Sequence, residues 1–191
     1  PAGIRTPGEE IEQIYIDVCR KIRRKISIPF ALKIGYHFSG LAHMIKNLKD
    51  EGAAGFVLFN RFYPPDVDIE QMNIVPGKIL SAPEEMSLSL RWIALLAGEI
   101  EADFSAATGI HDGKSIVKQL LVGAKTVQLC SILAQNGVEY LATMLSVVSE
   151  WMKRHDFSSI DQFRGKRSRE QSETPQLFER AQYVKALVGI S

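Results

Sequence analysis

The chain has 191 residues, 46% of them hydrophobic, enough to bury a core without disulfides or metals to staple it. Lys plus Arg number 23 against 22 Asp plus Glu, and this net charge of +1 gives no electrostatic footprint for nucleic acid or an anionic membrane. Cys19 and Cys130 alone exclude a disulfide framework and favour a reducing, cytoplasmic setting.

No apolar stretch reaches the roughly 18 residues needed to span a bilayer, so no membrane role is expected. The opening Pro-Ala-Gly-Ile-Arg-Thr has no leader pattern, and residue 1 is not expected to be the native start. From Glu9 to Lys25, Ile11, Ile14, Tyr15, Val18, Cys19 and Ile22 recur at helical spacing, which predicts an amphipathic helix. Ile28 to Gly35 reads as a strand buried on both faces, and Ser39 is placed to cap a helix running to about Glu51.

Gly55 to Phe62 predicts a second buried strand, followed after Pro64-Pro65 by an inserted hairpin within Val67 to Leu80. Ser81 with Glu84 forms a capping-box pattern for a helix from about Pro83 to Gly98. Asp103 to Gly109 is the third strand, Asp112 caps a helix over Gly113 to Val122, and Thr126 to Leu133 reads as a fourth buried strand. A long helix over Gly137 to Arg154 follows. Short helical candidates at Ser159–Arg164 and Pro175–Val188 flank a polar linker, Gly165 to Thr174.

Strands alternating with helices imply right-handed crossovers and a parallel sheet, hence an α/β class: either an open doubly wound sheet or part of a (β/α) barrel. A complete eightfold barrel takes about 250 residues. Ligands of such folds sit beyond the carboxyl ends of the strands, which here carry Lys33, Asn60-Arg61, Thr108-Gly109 and Cys130-Ser131. Lys33, within an apolar run, either serves an anionic or carbonyl-rich partner or pairs structurally with a carboxylate. Asn60 either reads a planar heterocycle or satisfies loop backbone. The Thr108-Gly109 and Cys130-Ser131 turns either cradle a phosphate or simply permit tight turns. Cys130, read as part of a buried strand, is expected to pack rather than act as a nucleophile. His37, His43, His111 and His155 lack metal-site spacing, and Lys166-Arg167-Ser168-Arg169 reads as a solvated loop.

Leu32-Lys33-Ile34-Gly35, Val57-Leu58-Phe59-Asn60-Arg61-Phe62-Tyr63, Leu90-Arg91-Trp92, Thr108-Gly109-Ile110 and Cys130-Ser131 together resemble the C-terminal part of dihydroorotate dehydrogenase-like flavoproteins. The resemblance implies the C-terminal half of an FMN-dependent (β/α)8 TIM barrel over residues 1–165, with 166–191 as a polar linker and helical tail. It implies hydride transfer from dihydroorotate, or a related small molecule, to flavin. Lys33, Ser81, Thr108, Gly109, Cys130 and Ser131 then correspond to cofactor-binding positions, Lys33 at the ring's pyrimidine edge and the last four at the phosphate. Asn60 and Arg61 correspond to the substrate side. The family's catalytic base lies in a part of the barrel this chain does not include, so no catalytic residue is assigned.

The sequence departs from the family at Arg61, where a small hydroxyl residue is usual, and at Thr108, where paired glycines are usual. Arg61 could clamp a substrate carboxylate or form a structural ion pair. Two other readings remain open: a silent half-barrel that works only by association, as a homo-oligomer or with a missing half, and another phosphate-binding barrel enzyme.

Overall fold

In the computed structural model, which describes residues 4–173 together with Pro175 and Phe178, helices and strands alternate along the chain. Helix α1 (Gly8–Lys25) carries Glu9 and Glu10 in its first turn and Arg23, Arg24 and Lys25 in its last, complementing the helix dipole at both ends. It is joined to α2 (Leu41–Asp50) by a two-pronged ion pair from Arg20 to Glu51, at 2.5 and 3.0 Å. Strand β1 (Ala31–Ile34) lies between these helices in sequence. Gly40, not Ser39, occupies the N-cap of α2, and it offers no side-chain cap.

Strands β1, β2 (Gly55–Leu58), β5 (Asp103–Ala106) and β6 (Thr126–Val127) form one parallel sheet in that order. The inserted hairpin, β3 (Pro65–Asp68) with β4 (Asn73–Pro76), forms a separate antiparallel pair. The class and the parallel pairing agree with the sequence pattern.

Parallel register places matching residues on one face. Leu32, Phe56 and Phe104 lie in one row, Ile34, Leu58, Ala106 and Val127 in another, and both rows look toward the helices. The Phe56 and Phe104 rings stack with centroids 6.0 Å apart in that layer. The opposite face carries Lys33, Val57, Ser105 and Thr126, where Thr126 Oγ1 donates to Ser105 Oγ at 2.8 Å. Ala31 and Lys33 are exposed on it, which corrects the expectation of a first strand buried on both faces: β1 is an edge strand of the sheet, and among the described residues its second face is uncovered.

The helix layer comprises α2, α3 (Met86–Leu96), α4 (Gly113–Leu121) and α6 (Tyr140–Arg154). A one-turn 3-10 segment, Pro83–Glu85, leads into α3, and its capping geometry sits one residue later than the sequence pattern: Glu85 Oε1 accepts from the Ala82 amide at 2.7 Å. Asp112 caps α4 as expected, accepting from the Ser115 amide at 2.7 Å. Gly113 lets α4 approach α6, since a Cβ there would stand 2.5 Å from the Met144 carbonyl oxygen.

The fourth strand differs most from expectation. It holds two residues, and the sequence from Ser131 to Asn136 forms a short helix, α5, with Cys130 at its N-cap, so Cys130 is exposed and not part of a buried strand. Hydrophobic periodicity over six or eight residues cannot separate a buried strand from a helical turn. Behind the sheet, Phe163 is fully buried against Trp151 and Phe157, at 5.0 and 5.3 Å.

The run from Gly165, expected as a polar linker, is tied to the body. Gly165 and Arg167 amides donate to the Leu120 and Leu121 carbonyls, and the Arg169 amide donates to Ala94, at 3.0, 2.8 and 2.8 Å. The candidate helix Pro175–Val188 lies, apart from Pro175 and Phe178, outside the described residues. No helix among the described residues is long and apolar enough to cross a membrane.

Candidate functional site

Each strand hands its end to the next loop through one backbone bond. The Asn60 amide donates to Ile34 of β1, the Ala107 amide to Leu58 of β2, and the Gln128 amide to Ala106 of β5, at 2.7, 2.7 and 2.8 Å. These bonds continue the ladder one step past the strand ends and fix where the rim side chains stand.

The loop after β5 turns sharply at Thr108 and Gly109, with φ of 75° and 76°. Gly109 belongs there for two reasons: the left-handed backbone favours glycine, and a Cβ would lie 2.2 Å from the Met86 amide nitrogen at the start of α3. Thr108 pays the left-handed strain that glycine avoids, and its hydroxyl donates to the Phe59 carbonyl at 3.3 Å.

Ser81, 6% exposed, joins three loops. Its Oγ lies 3.0 Å from Ser131 Oγ and 3.1 Å from His111 Nε2, and it accepts from the Gly109 amide at 3.3 Å. Its own amide donates to Ser131 Oγ at 2.9 Å. The hydroxyl expected to cap α3 is therefore engaged across the rim instead.

Arg61 adopts the structural ion pair, the second arrangement the sequence left open. Its Nε donates to Glu85 Oε2 at 2.8 Å, Nη1 to the Ile79 carbonyl at 2.6 Å, and Nη2 to the Leu80 carbonyl and Glu85 Oε1, both at 3.4 Å. Burial raises the Glu85 carboxyl's proton affinity, but the hydrogen bonds from Arg61 and the Ala82 amide outweigh it and hold the group below the ordinary glutamate value. The Lys33 ammonium, by contrast, has no hydrogen bond or ion pair to any described residue.

All eight candidate residues, Lys33, Asn60, Arg61, Ser81, Thr108, Gly109, Cys130 and Ser131, line one cavity of about 320 Å³ at the carboxyl ends of the parallel strands. Tyr63 and Gln128 line it too and were not singled out by sequence. Glu85 and His111, which hold Arg61 and Ser81, were also missed, because each acts on a partner 24 or 30 residues away. A second cavity of about 510 Å³, lined by Tyr36, His37, Phe59 and Phe62, shares Asn60, Arg61, Ala107 and Thr108 with the first. A groove of similar size between α2 and α3, lined by His43, Trp92 and Leu95, lies away from these strand ends. Among the described residues no cluster of three or more His, Cys, Asp or Glu could hold a metal ion.

The fold and rim define an α/β protein with a ligand-sized cavity where four parallel strands end. No family model matches the chain. It is 22% identical to the chloroplastic dihydropyrimidine dehydrogenase (NADP(+)) of Arabidopsis thaliana, over 78% of this chain and 38% of that protein. It is 24% identical to the catalytic subunit of dihydroorotate dehydrogenase B (NAD(+)) of Thermoplasma acidophilum, over 78% of this chain and 50% of that one. The like-named subunit of Methanocaldococcus jannaschii is 20% identical, over 80% and 51% respectively. The chain is a relative of the dihydroorotate dehydrogenase-like family, and it spans about half the length, or less, of these curated relatives.

Proposed function

We propose that the chain is the C-terminal half of a (β/α)8 barrel oxidoreductase that binds FMN and acts on a dihydroorotate-like small molecule, in the cytoplasm. The observation that carries this reading is the convergence of all eight rim residues, from β1 and the connections after β2, β5 and β6, on one cavity. The volume falls at the small end of the usual ligand range. The donor set suits a flavin mononucleotide: the Lys33 ammonium, unpaired among the described residues, a serine hydroxyl, and the backbone of two tight turns.

FMN, when bound, supplies the acceptor for a hydride from the substrate. Lys33 would help hold the flavin ring, and its ammonium would offset the negative charge that reduction adds there. Thr108, Gly109, Cys130 and Ser131 would hold the phosphate, and Ser81 would add to the cofactor's binding. Asn60, on the wall between the two cavities, orients the substrate through its amide. Arg61 braces that wall through Glu85, and its charge is thereby neutralised at the substrate side. Within the described residues, 4–165 make up the half-barrel, and the turn from Gly165 to Arg169 straps α3 to α4. No residue of this chain is assigned as catalytic base.

Mixing the purified chain with FMN is expected to give a yellow complex with quenched flavin fluorescence. Lys33→Ala should weaken binding about tenfold or slow reduction comparably, since an ion pair to developing charge contributes on the order of 1–3 kcal/mol. A chain that stays colourless on reconstitution overturns the reading, and unchanged binding and reduction in Lys33→Ala overturns the role of that lysine.

A second reading, a half-barrel that works only when joined to a complementary half or another copy, is favoured by exposed apolar side chains on two helices. Ile14 and Val18 of α1, and Leu141 and Leu145 of α6, are exposed.

A further inference from the structure

The node joining Ser81, His111 and Ser131 has a direction, because its hydrogens can be counted. Ser81 Oγ has one proton and two lone pairs. The Gly109 amide occupies one lone pair, leaving one proton and one lone pair for Ser131 Oγ and His111 Nε2. One of these neighbours therefore donates to Ser81 and the other accepts from it. Ser131 Oγ already accepts from the Ser81 amide, so the direction at Ser81 decides what Ser131 has left.

With a proton on His111 Nε2, the imidazole donates to Ser81 and Ser81 donates to Ser131. Both lone pairs of Ser131 are then filled, and its proton is free for an acceptor in the cavity that Ser131 lines. With Nε2 bare, Ser81 donates to the ring, Ser131 donates to Ser81, and only a lone pair of Ser131 is left for the cavity. An anion is welcomed by the first arrangement and repelled by the second.

We infer that His111, when neutral, keeps its proton on Nδ1 and leaves Nε2 bare, and that it is a positioning residue setting whether Ser131 offers a proton or a lone pair to the cavity, so that protonating Nε2 favours a phosphate-like anion there. The inference rests on the reading that this cavity holds a phosphate. The coupling is reciprocal: a bound anion also holds the proton on His111. Other titratable groups on the elements meeting here are Asp112 and Lys114 at the start of α4, Cys130 ahead of α5, Lys78 and Glu85 ahead of α3, Arg61 after β2, and Lys33 in β1. Asp112 is engaged by Ser115 and Arg61 by Glu85. None of these groups hydrogen-bonds to Ser81 Oγ, so among the described residues His111 is its one ionisable partner.

The test uses inorganic sulfate, a dianion throughout the range, titrated calorimetrically into the full chain at pH 8 and pH 5.5. The native chain is expected to bind sulfate about tenfold more tightly at the lower pH, a coupling of ordinary allosteric size. His111→Gln keeps a hydrogen-bonding group without titrating, and Ser131→Ala keeps the imidazole charge but breaks the chain of hydroxyls. Both should flatten the pH dependence, and Ser131→Thr should restore it. The other three histidines contribute a background common to all variants. If His111→Gln does not fold, the Ser131→Ala and Ser131→Thr pair still decides. A tenfold change retained in Ser131→Ala means charge acting through space and overturns the inference. Equal native affinity at both pH values overturns it while leaving the cavity reading standing. Failure of both sulfate and FMN to bind at any pH overturns both.

Discussion

Arg61 reaches back from the rim to Glu85, and the pair has a pH signature. Because the folded Glu85 carboxyl binds its proton less readily than the unfolded one, the clasp stabilises above the ordinary glutamate range and is lost as pH falls through the folded value. Glu85 is 35% exposed at its side chain, so solvent screening keeps the contribution small. Glu85→Gln should cost about 0.5–1 kcal/mol at pH 7 and flatten the acid limb of urea-unfolding midpoints between about pH 5 and 3. Native and variant curves that run parallel would remove this role. The rim residues were legible because strand ends in parallel folds are where polar residues interrupt apolar runs. What was not legible is how they are held. Ser81 has a local use, capping α3, yet its hydroxyl is taken by residues 28 to 50 positions away, and no short-range pattern announces such partners.

At the scale of elements, α4 is the case where sequence and structure coincide. Asp112 accepts from the Ser115 amide, and although burial opposes the charge, the Ser115 hydrogen bonds hold the carboxyl below the ordinary aspartate value. Asp112→Ala is expected to destabilise by about 1 kcal/mol, seen as a lower thermal midpoint, whereas Asp112→Asn should retain most of the cap. Equal losses in both would mean that the charge, not the hydrogen bond, matters. The segment after β6 was less legible. Leu129 to Leu133 continues the apolar run of Thr126 and Val127, but the chain leaves the sheet once Gln128 has bonded to Ala106, and Cys130 begins a helical turn. Tertiary hydrogen bonding, not local propensity, ends that strand. The hairpin was readable from its prolines and alternating residues. The one-residue shift of the capping geometry to Ala82 and Glu85 was not, because a capping box constrains spacing and not register.

For the molecule as a whole, the order β1-β2-β5-β6 leaves an edge at each end of the sheet among the described residues, and α1 and α6 expose apolar side chains. Lys33, Val57, Ser105 and Thr126 line the face without helices, as a barrel interior would. Sedimentation is expected to show self-association of the chain at micromolar concentration, weakened at least severalfold by combining Ile14→Lys with Leu145→Lys. A compact monomer at all concentrations would count against the half-barrel.

The strap from Gly165 to Arg169 ties α3 to α4 from far along the chain. During synthesis, the N-terminal elements emerge first and can pair, but this latch cannot close until its residues have cleared the ribosome. The latch thus closes only after α3 and α4 have themselves emerged, and the helices that support the rim stay unlatched until residues 165–169 follow them.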